Sequence, residues 1–306
     1  MSLLRDNVGF HLVRRSSLLF GVASAAIFAG TAATAGETIE LDESVVRIEV
    51  NATDGDAGFQ AMADGEGWNQ VKIFDPNRKQ IFDVKAKGST RRQKLTEIFF
   101  ESAEPSCVEQ PFEDFLERFP ESNDPYQFKG WGKQGLKLEG ESELTHDIPY
   151  APMDLRADWM TESDIALTAP VATISWEPGT AVPNGVPRPD LGDCGTAGVD
   201  APDELFGFQL VVEREYPDPL LVFSVDVEFD DALAVYTIDL PSQVTSDDEF
   251  YKYEVIAIEL RDGEERGNHT ISENTFCTAE DQDICDCIAE QLDEDEGDPD
   301  TCFEPE

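Results

Sequence analysis

Apolar and polar side chains alternate with period two over most of residues 37–146, the pattern of strands that bury one face. Residues 45–50 and 71–74 read as strands, and Asp75-Pro76-Asn77-Arg78 is a turn whose proline presets the dihedral of its second position. With residues 81–84 returning, a hairpin is predicted there. A second hairpin is predicted from residues 126–131 and 136–139, joined through Gly132 and Gly135. Between them the period changes. Phe112, Phe115, Leu116 and Phe119 recur at i, i+3, i+4 and i+7, so one short helix is expected, with Pro111 at its first position and Pro120 ending it. Its apolar stripe reads as a lid over the open end of a sheet.

A connector follows at residues 147–152, where Pro149 and Pro152 favour extended backbone and mark a domain boundary. Beyond it, short β-rich runs at 171–176, 206–213, 221–229, 235–240 and 251–260 are set apart by turn signals, as in an antiparallel sandwich. The alternation puts Tyr251, Tyr253, Val255 and Ala257 on one inward face.

Within this stretch, the Pro149 and Pro152 entry, Ile174-Ser175-Trp176-Glu177-Pro178, Phe208 and the run Tyr251-Lys252-Tyr253-Glu254-Val255 carry a resemblance. Residues 148–278 resemble a fibronectin type III domain. The resemblance implies a buried strand-B tryptophan at Trp176, a strand-C aromatic at Phe208, a tyrosine corner at Tyr251, and Tyr253 beside it in the core. Two departures are a long Gly- and Pro-containing loop after Trp176, which holds Cys194, and a charged insert at 261–266. Residues 36–147, through Asp54-Gly55-Asp56-Ala57-Gly58 and the run 96–105, resemble an N-terminal module of uncharacterised exported bacterial proteins, which brings no known activity. The expected fold is therefore all-β. Two β-sandwich-like domains, 36–147 with one short helix and 148–278 of fibronectin type III (Ig-like) type, precede an acidic, cysteine-containing tail at 279–306 that carries a short helix with Ile284, Ile288 and Leu292.

Residues 1–35 read as a signal peptide: Arg14 and Arg15, an uncharged apolar run at 16–30, and Ala33-Thr34-Ala35 before the expected cleavage. The run is shorter than the roughly 20 residues that span hydrocarbon, and no later segment comes closer. A secreted or periplasmic location follows. All six cysteines (Cys107, Cys194, Cys277, Cys285, Cys287, Cys302) lie beyond the signal, and an even number in an exported chain reads as disulfides. Pairing is left open by sequence. The natural division joins the last four among themselves and leaves Cys107 with Cys194, and a zinc site from the last four lacks the paired C-x-x-C spacing.

Charge changes the picture further. The chain carries 65 acidic against 22 basic side chains, a net −43, which opposes the basic surface that nucleic acid requires. Without residues 1–35 the balance becomes 64 against 19, or −45. Such self-repulsion fits a saline habitat, because the acids are scattered and form no repeated ligand pattern. Segment 72–94 is the exception: eight cations against two acids, so +6. It is suited either to an acidic polysaccharide or to the protein's own acidic surface, and the second is the more available partner.

Catalytic motifs are missing: no G-x-S-x-G, no H-E-x-x-H, no phosphate loop. Only His146 and His269 remain beyond the signal, and they read as structural or surface residues. No cofactor is expected. Calcium is the one ligand for which donors are offered, at Asp54 and Asp56 and from Asp293 to Asp300, but position 6 of a calcium loop starting at Asp54 or Asp293 would be Phe59 or Asp298 rather than glycine, and a glycine-stiffened turn and a plain acidic tail are the simpler readings. The expected role is non-catalytic binding or adhesion to a protein or glycan at the cell exterior, with an accessory or hydrolytic module on extracellular polysaccharide as the alternative.

Overall fold

The computed structural model describes residues 38–303 except 122, 159–164, 168–169, 184, 197, 262, 264, 280, 294–296 and 298. The expected signal peptide, and Asp298 in the acidic tail, lie outside the described residues. The chain is all-β and sandwich-like, with a few short helices.

In the first half, β1 (Thr38–Glu40), β2 (Glu43–Asn51), β3 (Asp56–Trp68), β4 (Gln70–Phe74), β5 (Gln80–Lys85), α1 (Gly88–Gln93), β6 (Leu95–Glu101), α2 (Phe112–Arg118), β7 (Tyr126–Trp131) and β8 (Lys137–Ser142) follow one another. One sheet runs β1-β8-β7-β4-β5, and β2, β3 and β6 pair in that order in another. Both predicted hairpins form, as β4–β5 and β7–β8. Val46, Ile48 and Val50 of β2 meet Val71 and Ile73 of β4 and Phe128 of β7 in one core. Helix α2 buries Phe112, Phe115 and Leu116 against that core, and Phe119 stacks on Phe59 at 4.3 Å. Pro111 precedes the helix in extended backbone (ψ 135°) instead of starting it, because its missing N–H suits a position just outside the first turn. Helix α1 is a second helical turn where one helix was expected. Strand β3 was also unforeseen: its Ala and Gly residues have weak strand preference, yet they fit where neighbours press close, as at Gly67, where a Cβ would lie 2.6 Å from Lys94 Cδ.

The second half holds β9 (Met153–Ala157), β10 (Thr173–Glu177), β11 (Leu205–Tyr216), β12 (Leu220–Glu228), β13 (Tyr236–Asp239), β14 (Phe250–Arg261), β15 (Glu265–Cys277) and α3 (Gln282–Asp293). A three-stranded sheet, β13-β10-β9, faces β12-β11-β14-β15 across a core that contains Trp176, Phe208, Tyr251, Tyr253 and Phe276. The described residues of the charged insert extend the β14–β15 pairing, with Arg261 in register with Glu265 and Leu260 with Arg266.

The two halves share a sheet. Strand β15 lies parallel to β2, with His269 opposite Glu49 and Ile271 opposite Asn51, so one seven-stranded sheet runs β12-β11-β14-β15-β2-β3-β6. Buried polar groups weld this seam. Asn268 accepts from the Ile48 N–H (2.8 Å) and donates to the Thr145 and Asp147 carbonyls, while Glu259 accepts from the Asn268 N–H (2.7 Å) and pairs with Arg261. Apart from Arg261 Nε, these groups are paired, which offsets the cost of burying them. Three disulfides form: Cys107–Cys194, Cys277–Cys285 and Cys287–Cys302. The first ties the long loop after Trp176 to the first half, and Leu191, Cys194 and Val199 of that loop are buried in the first core. Arg188, 2% exposed, anchors the loop by donating to the carbonyls of Ile148 (2.5 Å) and Pro149 (2.8 Å) and pairing with Asp190.

Candidate functional site

On β2 the inward turn of Val46, Ile48 and Val50 sends Arg47, Glu49 and Asn51 to the opposite face. Register then aligns side chains from four strands there. Gln60 of β3 lies opposite Arg47 and Glu101 of β6, and His269 of β15 opposite Glu49. Arg47 Nε donates to Gln60 Oε1 at 2.5 Å, and Gln60 Nε2 donates to Glu101 Oε1 at 2.6 Å. Arg47 Nη1 also donates to His269 Nε2 at 3.2 Å, which fixes the ring proton on Nδ1, facing Glu49 at 3.4 Å. Burial, with Arg47, Arg266 and Arg261 nearby, holds the His269 pKa well below 6.5, so the ring is neutral.

Beyond this row three carboxylates converge. Oxygens of Glu49, Glu101 and Glu104 all lie within 4.8 Å of one another. Glu104 fits there because residue 58 is glycine: a Cβ would stand 2.9 Å from its Cγ. Burial raises the Glu104 pKa to about 7, helped by Glu101, Asp56 and Glu49. Burial also raises Glu49, against the opposing pull of Arg47, and raises Asp56 together with Asp54. Glu104 therefore keeps its proton closer to neutrality than a free carboxyl does. It lies on an open sheet face, with Glu101 and Glu104 exposed. A groove of about 810 Å³ adjoins the row at Arg47 and Gln60, and its lining includes Thr38 to Val45, Phe99, Glu139 and Glu141 of β8, Glu265 and Arg266.

Asp54 and Asp56, the calcium candidates of the sequence, are not members of that carboxylate group. Asp54 accepts from Asn51 Nδ2 (3.1 Å) in the β2–β3 turn, and Asp56 starts β3. Glu49 and Glu101 escaped sequence reading because 51 residues separate them, and only strand register brings them together. His146 sits on the first half, its Nε2 2.8 Å from the Phe119 carbonyl.

The residues singled out by resemblance are buried in the second core. Trp176 stacks on Tyr236 (5.5 Å) and meets Phe208 edge-on (5.7 Å, 68°). Tyr251 stacks on Phe276 at 4.9 Å, and its hydroxyl accepts from the Ser246 N–H at 2.9 Å and donates to Glu249. Tyr253 flanks the same ring at 5.9 Å.

The expectation that the cations of segment 72–94 pair within the molecule does not hold among the described residues: of the eight, Lys72 alone forms an ion pair, with Asp83 at 3.3 Å. The other seven are exposed, and no acid is placed within ion-pair distance of them among the described residues.

No family model matches the chain, and no curated protein does. Among solved structures, the crystal structure of chicken CNTN1 FN1-FN3 domains aligns at 11% identity and a TM-score of 0.23, over 79% of this chain and 68% of that one. So slight a likeness bears on neither fold nor function.

Proposed function

We propose that this is an exported, non-catalytic binding or adhesion protein that presents sheet faces and loops to a protein or glycan partner. One observation carries the reading: aromatic and aliphatic side chains fill both cores, and the large hollow of about 810 Å³ is an open groove on a polar sheet face. Such a surface suits contact, whereas catalysis calls for a water-excluding chamber with facing acids. The three strands of β13-β10-β9 over the four of β12-β11-β14-β15, with Trp176 between them and the Tyr251 hydroxyl tied to the Ser246 backbone, support a fibronectin type III assignment for residues 148–278. Three disulfides fit an oxidising compartment, and no helix among the described residues is long and apolar enough to cross a membrane. Export would remove residues 1–35, which mass spectrometry of the mature N-terminus checks directly.

The decisive experiment is capture of native cell-envelope fractions and a glycan array by immobilised protein. Retention of one partner without turnover supports the reading. Release of reducing ends from a polysaccharide, lost in E104Q, would establish the hydrolytic alternative instead.

A further inference from the structure

Twelve of the 19 basic side chains beyond residue 35 fall between residues 72 and 137, in a chain that is otherwise intensely acidic. The fold gathers several of them on the outward face of the β1-β8-β7-β4-β5 sheet. Val71, Ile73, Tyr126, Phe128 and Leu138 point into the core, so the alternate residues point out. Register sets Lys85, Gln70, Trp131 and Lys137 in one row across four strands, and Lys72 and Lys129 opposite each other in the next. At about 4.8 Å between strands the first row runs roughly 14 Å.

Three features of this face point to a ligand class. Trp131 is half-buried in the row between Gln70 and Lys137, with Lys85 beyond Gln70, an apolar plate for the face of a sugar ring. Lys72 and Lys129 form a like-charged cross-strand pair, which destabilises a sheet unless acids offset it; Asp83 meets Lys72 at 3.3 Å, Glu139 is the register partner of Lys129 on its other side, and neither Lys129 nor Lys137 closes an ion pair among the described residues. Lys129 rests over the Phe74 ring at 5.4 Å, which holds its ammonium at the surface. In that second row Asp83 of β5 stands opposite Lys72 and Glu139 of β8 opposite Lys129, so the surplus of positive charge comes from Lys85 and Lys137 in the row that holds Trp131.

We infer that this face binds an anionic glycan, with Trp131 stacking on a sugar ring and Lys72, Lys129, Lys85 and Lys137 holding its carboxylate or sulfate groups. The inference rests on the binding reading above and names the chemistry of the partner. A long nucleic acid fits less well, because it would run from this face onto the strongly negative remainder.

The test measures binding of the intact protein to polygalacturonate, to its methyl ester (the same chain without charge) and to single-stranded DNA, at an ionic strength of about 0.1 M, where the screening length is about 10 Å. The expected result is binding to polygalacturonate that is at least tenfold weaker for the ester, falls at least tenfold in W131A, and is lost in K72E/K129E. R156E, a reversal on the other half, should leave it unchanged, and circular dichroism confirms that each variant folds. Equal binding of the ester, DNA binding as strong as polygalacturonate binding, indifference to W131A, or no binding at all would each overturn the inference. So would self-association abolished by K72E/K129E without polygalacturonate binding, which would assign the face to a second copy. Envelope capture that survives K72E/K129E defeats this inference alone, whereas wild-type protein that captures nothing defeats the binding reading itself.

Discussion

The Cys107–Cys194 bond spans 87 residues and is the disulfide that cross-links the two halves, so its removal should be the most costly disulfide loss. In the chain-entropy account, a loop of this length restrains the unfolded ensemble by about 4.6 kcal/mol at 25 °C. The same relation gives about 3 kcal/mol for the 15-residue separation of Cys287–Cys302 and about 2.5 kcal/mol for the 8-residue separation of Cys277–Cys285. Both Cys107 and Cys194 are buried, as are Cys277 and Cys285, so C107A/C194A and C277A/C285A create comparable packing losses and differ mainly in loop length. Urea unfolding followed by far-ultraviolet circular dichroism should place C107A/C194A about 2 kcal/mol below C277A/C285A. Its m-value should also rise, because the unfolded chain, freed of the long cross-link, exposes more surface. At 2–4 °C per kcal/mol, the melting temperature should fall by roughly 9–18 °C. Equal losses in the two double variants, or an unchanged m-value, would refute the reasoning.

The pH dependence separates two groups of opposite sign. The folded chain withholds a proton from His269 that the unfolded imidazole accepts below its ordinary 6.5, so this residue makes stability fall as pH drops through that value, and H269Q should flatten the acid limb. Glu104 retains a proton in the folded chain between its ordinary 4.5 and about 7, so stability declines as pH rises across that window, and E104Q should abolish the decline in urea titrations run over it. An identical profile in E104Q would show that Glu104 does not hold that proton. R188M leaves the Asp190 carboxylate, 8% exposed, without its counter-charge and strips donors from the Ile148 and Pro149 carbonyls, so calorimetry should register a loss of about 3–5 kcal/mol. A loss under about 1 kcal/mol would mean that the loop is held by other contacts.

Much of the architecture was legible in one sequence because period-two alternation and turn residues act locally. The β4–β5 and β7–β8 hairpins, α2 and the long β14 each follow from neighbours within about a dozen positions. Strand β3 was not legible, since its alternation is carried by Ala and Gly, whose fit is set by what packs against them. The acidic cluster was equally hidden: Glu49 and Glu101 become neighbours only through the register of β2, β3 and β6.

By itself, then, the sequence determined the alternating strands, the even cysteine count, the excess of acid and the island of base, all properties of short segments or of composition. Only the tertiary structure decided that β15 would join β2 in one sheet, that the loop bearing Cys194 would pack into the first core, and that the basic island would face solvent instead of the protein's own acids. Those outcomes depend on which strands pair and in what register. That choice is made by burial and hydrogen bonding between residues more than a hundred positions apart, where no local pattern can reach.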